Sequence, residues 1–252
     1  MTSQTGEDGV IEKIIEVLTP GERYCVEFGA WDGKLYSNCY NLLANQGWGG
    51  LMIEANYDKY QELVRTYGGH PKVKPVNRFV DFEGEDSLEE LLHEFDAPEG
   101  FGLLSIDVDG CDYYIWESLR GYSPEIVIVE FNPTIPNDVL FVQERSFDVN
   151  HGCSLLALVM LGREKGYELA VCTAWNAFFI RADKFPLLGI KDNFIAKLHV
   201  PMQDGRIFQG YDGSIHVVGM SNLMWKGGLA VSSEDFQVLP KAARVWGDAQ
   251  RK

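Results

Sequence analysis

Two groups of residues have types and spacings that could do chemistry. The first is the run Tyr24-Cys25-Val26-Glu27-Phe28-Gly29-Ala30-Trp31-Asp32-Gly33, with Glu54 about twenty residues beyond it at the end of Leu51-Met52-Ile53. A short apolar run that ends in glycines reads as a buried parallel strand followed by a sharp turn. Glycine leaves no Cβ between the chain and a ligand lying above it. Strand, glycine turn, helix, strand and acid form the physical plan of a nucleoside-binding β-α-β unit, in which the acid accepts the ribose hydroxyls. The dinucleotide fingerprint G-x-G-x-x-G is absent, because Trp31 stands two residues after Gly29 where a glycine is required. A bulky residue there suits a nucleoside without a pyrophosphate. S-adenosylmethionine (SAM) meets that description, since its methionyl end carries an ammonium and a carboxylate. The alternative is a tight turn in an α/β sheet that binds nothing.

The second group is acidic. Asp107-Val108-Asp109-Gly110-Cys111-Asp112 closes the run Phe101 to Ile106, and Glu130-Phe131-Asn132-Pro133 closes Ile126 to Val129. Asp107, Glu130 and Asn132 are hard oxygen donors that suit Mg²⁺ or Ca²⁺ better than zinc. An EF-hand is excluded, because Cys111 and Asp112 occupy its fifth and sixth positions. The same groups are candidate general bases for a hydroxyl acceptor: Asp107, Glu130 and His151, the last in a loop long enough to reach the strand ends. Asp109 and Asp112 have an alternative use at the start of a helix, where negative charge is favoured. His70, His93, His199 and His216 show no spacing relation to any acid. Gln4, Glu7 and Asp8 either fold over a ligand or cap the first helix. Trp31 is placed to touch the ligand, while Tyr113, Tyr114 and Trp116 read as core.

The elements that must position these residues alternate. Val10 to Leu18 has helical spacing and stops at Pro20-Gly21. Strands are expected at Tyr24–Phe28, Leu51–Glu54, Val73–Val80, Phe101–Ile106 and Ile126–Val129, with a helix after each. Ser37-Asn38, Ser87 and Ser154 are the expected helix caps, and Pro75 assigns the third strand to an edge. Tyr167–Thr173 and Asn176–Arg181 read as a hairpin. The expected fold is therefore α/β, a Rossmann-like doubly wound sheet, mostly parallel with a C-terminal antiparallel hairpin. Residues 1–185 form this domain with an N-terminal cap helix. Residues 186–252, with turns at Asp204-Gly205 and Asp212-Gly213, form a C-terminal extension, either a lid or a contact between subunits of a homo-oligomer.

Composition narrows the partners. The chain has 252 residues, enough for one sizeable core, and a formal net charge of −15 that argues against nucleic acid. No run is long enough to span a bilayer, and Met1 to Gly9 lacks the basic and apolar regions of a signal peptide. The five cysteines are scattered without C-x-x-C spacing, which reads as reduced thiols in a cytoplasmic protein.

Val26-Glu27-Phe28-Gly29-Ala30-Trp31-Asp32-Gly33, Ile53-Glu54, Ile106-Asp107-Val108-Asp109-Gly110 and Val127-Ile128-Val129-Glu130 together resemble the class I SAM-dependent methyltransferases, close to the FkbM-type group. The resemblance covers roughly Ser3 to Asp183. It implies SAM bound at Gly29, Gly33 and Glu54, with Glu27, Ala30, Trp31 and Asp107 as further candidate contacts, and O-methylation of a small acceptor, read here as a hydroxylated molecule such as a sugar or secondary metabolite. Glu27 departs from the Asp common in that group. The run Ile106 to Gly110 is also similar to the metal-dependent sugar O-methyltransferases of the TylF type, which implies a divalent cation that holds acceptor hydroxyls. Two other readings remain open. Asp107-Val108-Asp109-Gly110 matches the D-x-D-G motif of haloacid-dehalogenase-type Mg²⁺ phosphatases, although it ends the fourth strand and lacks the later acidic pair. An inactive methyltransferase-like binding module is the other.

Overall fold

The computed structural model describes residues 3–201, 205–219, 222–223, 229–239 and 243. Met1, Thr2, Asp204 and the last residues of the expected extension, 244–252, lie outside them. The chain divides into two compact units, Met1–Pro201 and Met202–Lys252.

The first unit contains helices α1 (Glu7–Leu18), α2 (Tyr40–Asn45), α3 (Tyr57–Tyr67), α4 (Leu88–Glu94), α5 (Asp112–Ser118), α6 (Leu155–Glu164) and α7 (Ile195–Leu198). Its strands are β1 (Tyr24–Phe28), β2 (Gly49–Ile53), β3 (Val73–Val76), β4 (Leu103–Ile106), β5 (Ile126–Glu130), β6 (Tyr167–Cys172) and β7 (Asn176–Arg181). They form one seven-stranded sheet in the order β3-β2-β1-β4-β5-β7-β6. The first five strands pair in parallel, and β7 inserts antiparallel between β5 and β6. This is the Rossmann-like doubly wound sheet with a closing antiparallel hairpin that the alternation predicts. β3 is an edge strand, and Pro75, which has no N–H to donate, lies in it.

Side-chain alternation divides the core between two faces of the sheet. Val26, Phe28, Ile53, Ile106, Val129 and Phe179 face α4, α5 and α6, where Leu91, Ile115, Trp116 and Leu158 close the layer. Cys25, Met52, Leu103, Ile128 and Phe178 face α1, α2 and α3, packing against Ile11, Ile14, Leu43 and Leu63. Near-continuous apolar strands are the sequence counterpart of this double cover.

Helix starts follow the expected chemistry at Ser87 and Ser154, and Asn56 supplies a further cap outside the expected set. Ser87 accepts from Glu90 N and Ser154 from Ala157 N, while Asn56 accepts from both Asp58 N and Lys59 N. α2 begins at Tyr40, two residues beyond the expected Ser37-Asn38 cap, and its N-cap residue Cys39 makes no side-chain cap bond. Ser37 Oγ still accepts from Cys39 N and Tyr40 N, so it does a cap's work from outside the helix.

The first unit continues past residue 185. A 3₁₀ turn at Phe185–Leu188 and α7 follow, with Phe185 and Leu188 packed against the α1 layer and Ile195 buried in the other. The second unit carries an antiparallel hairpin, β8 (Gly205–Gln209) with β9 (Ile215–Gly219), and the short pair β10 (Asn222–Leu223) and β11 (Leu229–Ala230). Phe208 stacks on His216 within that hairpin.

Candidate active site

Register places the chemistry. Phe28 pairs with Ile106 and Ile106 with Val129, so Gly29, Asp107 and Glu130 leave β1, β4 and β5 at one level. The carboxyl ends of a doubly wound sheet are where such folds hold ligands. Gly29 has φ 71, and its α-carbon abuts the Asp107 carbonyl, so the two strand-end loops meet there without a side chain between them. Gly33, also at positive φ, lies against Leu63 and Tyr67 of α3, and the Tyr67 hydroxyl donates to its carbonyl at 2.7 Å. Trp31 adopts φ 51, a left-handed conformation that a bulky residue rarely takes. Its ring is exposed, with the Lys59 ammonium 4.5 Å from its centroid.

Each of the first-strand residues has identifiable partners. Glu27 is buried, accepting from Ser37 Oγ at 2.5 Å and Asn38 N at 2.7 Å, while Asn38 Nδ2 donates to Ser105 Oγ on β4. This network ties the turn after β1 to the neighbouring strand. Burial pushes the Glu27 carboxyl up to about 7 despite those donors, which favour its charged form. Glu54 is buried at the end of β2, where one oxygen accepts from Trp31 N and the other from Asn56 N, both at 2.7 Å. The acid singled out for its spacing thus holds the glycine turn in place. Ala30 is buried beside it and donates its N–H to the Ile53 carbonyl.

Three carboxylates converge at the strand ends. Oxygens of Asp107, Asp109 and Glu130 all lie within 4.8 Å of one another. Burial raises Asp107 to about 8, with Asp112 and Asp109 adding repulsion. Glu130 is raised by burial and then by Asp107, and its Oε2 is buried without a hydrogen-bond partner among the described residues. None of Glu27, Glu54, Asp107, Asp109, Asp112 or Glu130 forms an ion pair among the described residues. Crowded carboxyls of this kind hold protons to higher pH than isolated ones.

Two of the remaining sequence candidates are occupied. Asn132 Oδ1 accepts from Thr134 N and Thr134 Oγ1, and its Nδ2 donates to the His151 carbonyl. Asp109, two residues after Asp107, brings a third carboxylate to the group. Asp112 accepts from Val108 N and Gly110 N, which folds the loop back on itself. It stands in the first turn of α5, whose N-cap residue Cys111 makes no side-chain cap bond. His151 is fixed through its backbone: its N–H, like that of Gly152, donates to Gln143 Oε1. It is not a member of the carboxylate group. Gln143, buried and unremarked in sequence, pins this loop, donating from Nε2 to Ser146 O and Val149 O.

The seven-stranded order with its closing hairpin defines a Rossmann-like α/β fold. No protein-family model matches the chain, and no curated protein matches it. Among solved structures, the chain is similar to a SAM dependent methyltransferase from Aquifex aeolicus at 11% identity, covering 70% of this chain and 92% of that one with a TM-score of 0.40. It is similar to M. capricolum TrmK in complex with S-adenosyl-homocysteine at 9% identity, covering 67% of each chain, TM-score 0.39. A third is an O-methyltransferase family protein from Burkholderia thailandensis at 11% identity, covering 69% of this chain and 55% of that one, TM-score 0.43. The five cysteines are free thiols, and no described helix is long and apolar enough to cross a membrane.

Proposed function

We propose that this chain is a SAM-dependent methyltransferase that methylates a hydroxyl of a small molecule. The observation that carries this reading is the convergence of Asp107 and Asp109 after β4 with Glu130 on β5, level with the Gly29 turn and with no ion pair to any of them among the described residues. A guest carrying an ammonium and a sulfonium would favour the ionised form of these raised carboxyls. When bound, SAM offers a methyl group on sulfur, which departs with the C–S electron pair as a neutral thioether.

The chain's own residues then have distinct tasks. With SAM bound, Glu27 would supply negative charge near the methionyl end, Gly29, Ala30, Trp31 and Gly33 would shape the turn beside it, and Glu54 would hold that turn and offer its remaining lone pairs to the ribose. Asp107 and Glu130 form the basic end. Raised carboxyls are suited to take the acceptor hydroxyl's proton as its oxygen bonds to the methyl carbon. Holding acceptor and donor in line contributes the rest of the rate. His151 is the remaining candidate base.

A divalent cation belongs to the proposal as well. Asp107, Asp109 and Glu130 offer hard oxygens in one place, and the orphaned Glu130 Oε2 fits a metal ligand. Such an ion would orient acceptor hydroxyls. The net charge of −15 favours a small hydroxylated acceptor over a polyanion.

Thermal melts with SAM and S-adenosylhomocysteine (SAH) test the reading. Saturating ligand raises the midpoint if the site is real. No shift with either at millimolar concentration would sink the proposal.

A further inference from the structure

The segment before α1 is anchored at both ends. Ser3 makes a parallel bridge with Tyr36, in the loop after β1. Ser3 and Asp8 exchange bonds, Ser3 N donating to Asp8 Oδ2 at 3.1 Å and Asp8 N to Ser3 Oγ at 3.0 Å. Glu7, wholly buried, reaches the other side of the sheet: Thr173 Oγ1 donates to its Oε1 at 2.7 Å and Asn176 Nδ2 at 3.5 Å. Thr5 completes the coordination from the same segment, donating both its N–H and its hydroxyl.

The path between these anchors is what gives them meaning. Thr173 and Asn176 flank the β6–β7 turn, whose Trp175 carbonyl accepts from Phe131 N, the residue after Glu130. Six residues therefore run from the β1 loop to the end of β5. They do so on the α1 side of the sheet, toward which Glu27 and Glu130 project by strand alternation with Cys25 and Ile128. Asp8 is near enough to Glu27 to oppose its ionisation. The N-cap residue of α1, Gly6, has no side-chain bond to give.

We propose that Ser3 to Asp8 is a strap across the cofactor cleft, and that Glu7 is the positioning residue whose release from Thr173 and Asn176 lets the cofactor enter and leave. This rests on the methyltransferase reading above. A buried carboxylate gripped by side-chain donors is a switch with two discrete states, since half-made it leaves a buried charge unsatisfied.

Stopped-flow measurement of SAH binding tests it in the full-length protein, comparing wild type with Glu7→Gln and Thr173→Val. The gate predicts that both variants release SAH at least tenfold faster, with Kd rising less than koff because entry accelerates too. A merely structural Glu7 would lower the melting temperature and leave exchange rates unmoved, which overturns the proposal. Hydrogen exchange on the wild type supplies a readout that needs no variant. Amides of residues 3–9 slow when SAH binds if the strap covers the cofactor, and unchanged rates there overturn it. Wild type that binds no SAH removes the cofactor reading itself, and the gate with it. Binding with unaltered exchange removes the gate alone.

Discussion

A Cβ placed on Gly29 would lie 2.0 Å from the carbonyl oxygen of Asp107, closer than any real contact permits. Glycine is therefore required here on two grounds, this approach and a φ of 71. The contact sets the spacing between the turn proposed to carry the cofactor and the first acid of the proposed basic end. Gly29→Ala should cost about 2–4 kcal/mol of stability and abolish the SAH-induced thermal shift. Urea unfolding of the variant at wild-type stability would show that the backbone can yield.

Asp107→Asn tests the basic end. Methyl transfer should fall about 10²–10⁴-fold, measured as kcat/KM. Stability should respond as well, and with a definite sign. Asp107 is raised to about 8 in the folded chain, against an ordinary value near 4. Its neutral form thus favours folding fully below about pH 4, and that contribution is lost as pH rises toward 8. The melting advantage of Asp107→Asn over wild type should therefore widen between pH 5 and pH 8. A gap that stays constant would show that Asp107 titrates normally. Mg²⁺-dependent hydrolysis of an aryl phosphate, lost in this variant, would instead favour aspartyl-phosphate chemistry.

Glu54 holds two backbone N–H groups in the proposed cofactor wall. Glu54→Ala leaves Trp31 N and Asn56 N without that acceptor, which should cost about 1–3 kcal/mol of stability even without ligand. SAH affinity should weaken by a similar ~1–3 kcal/mol if the same carboxylate also meets the ribose. Calorimetric titration separates the two effects: reduced stability with unchanged affinity would leave Glu54 a brace only.

Metal binding distinguishes Asp109 from Asn132. Mg²⁺ or Ca²⁺ should raise the wild-type melting temperature, Asp109→Asn should abolish the rise, and Asn132→Ala should retain it. A chelator should then depress methyl transfer in the wild type. Equal cation response from wild type and Asp109→Asn would leave the acidic group a feature of the proton chemistry alone.

How much of this was legible in sequence differs by element. Four apolar runs and one alternating edge run, separated by helical patterns, specify a mostly doubly covered parallel sheet, because a strand buried on both faces must be apolar throughout. Pro75 announced the edge, and Ser87 and Ser154 announced helix starts, since those signals are local. The β3 strand, Val73–Val76, is shorter than its alternation suggested, and α7 escaped notice because four residues carry too little periodicity. Asn132 was read as a ligand from its place after a strand, and nothing in sequence indicates that Thr134 takes its oxygen.

Local chemistry thus determined the order of elements, the glycine turn and the acids at strand ends, because propensity, capping and period act within a few residues. Which acids meet was decided only when β4 and β5 came into register, bringing Asp107 and Asp109 to Glu130. Glu7 finding Thr173, 166 positions away in sequence, is likewise a product of the folded sheet. Long-range partners of buried carboxylates follow from packing geometry, and no short window of residues encodes that.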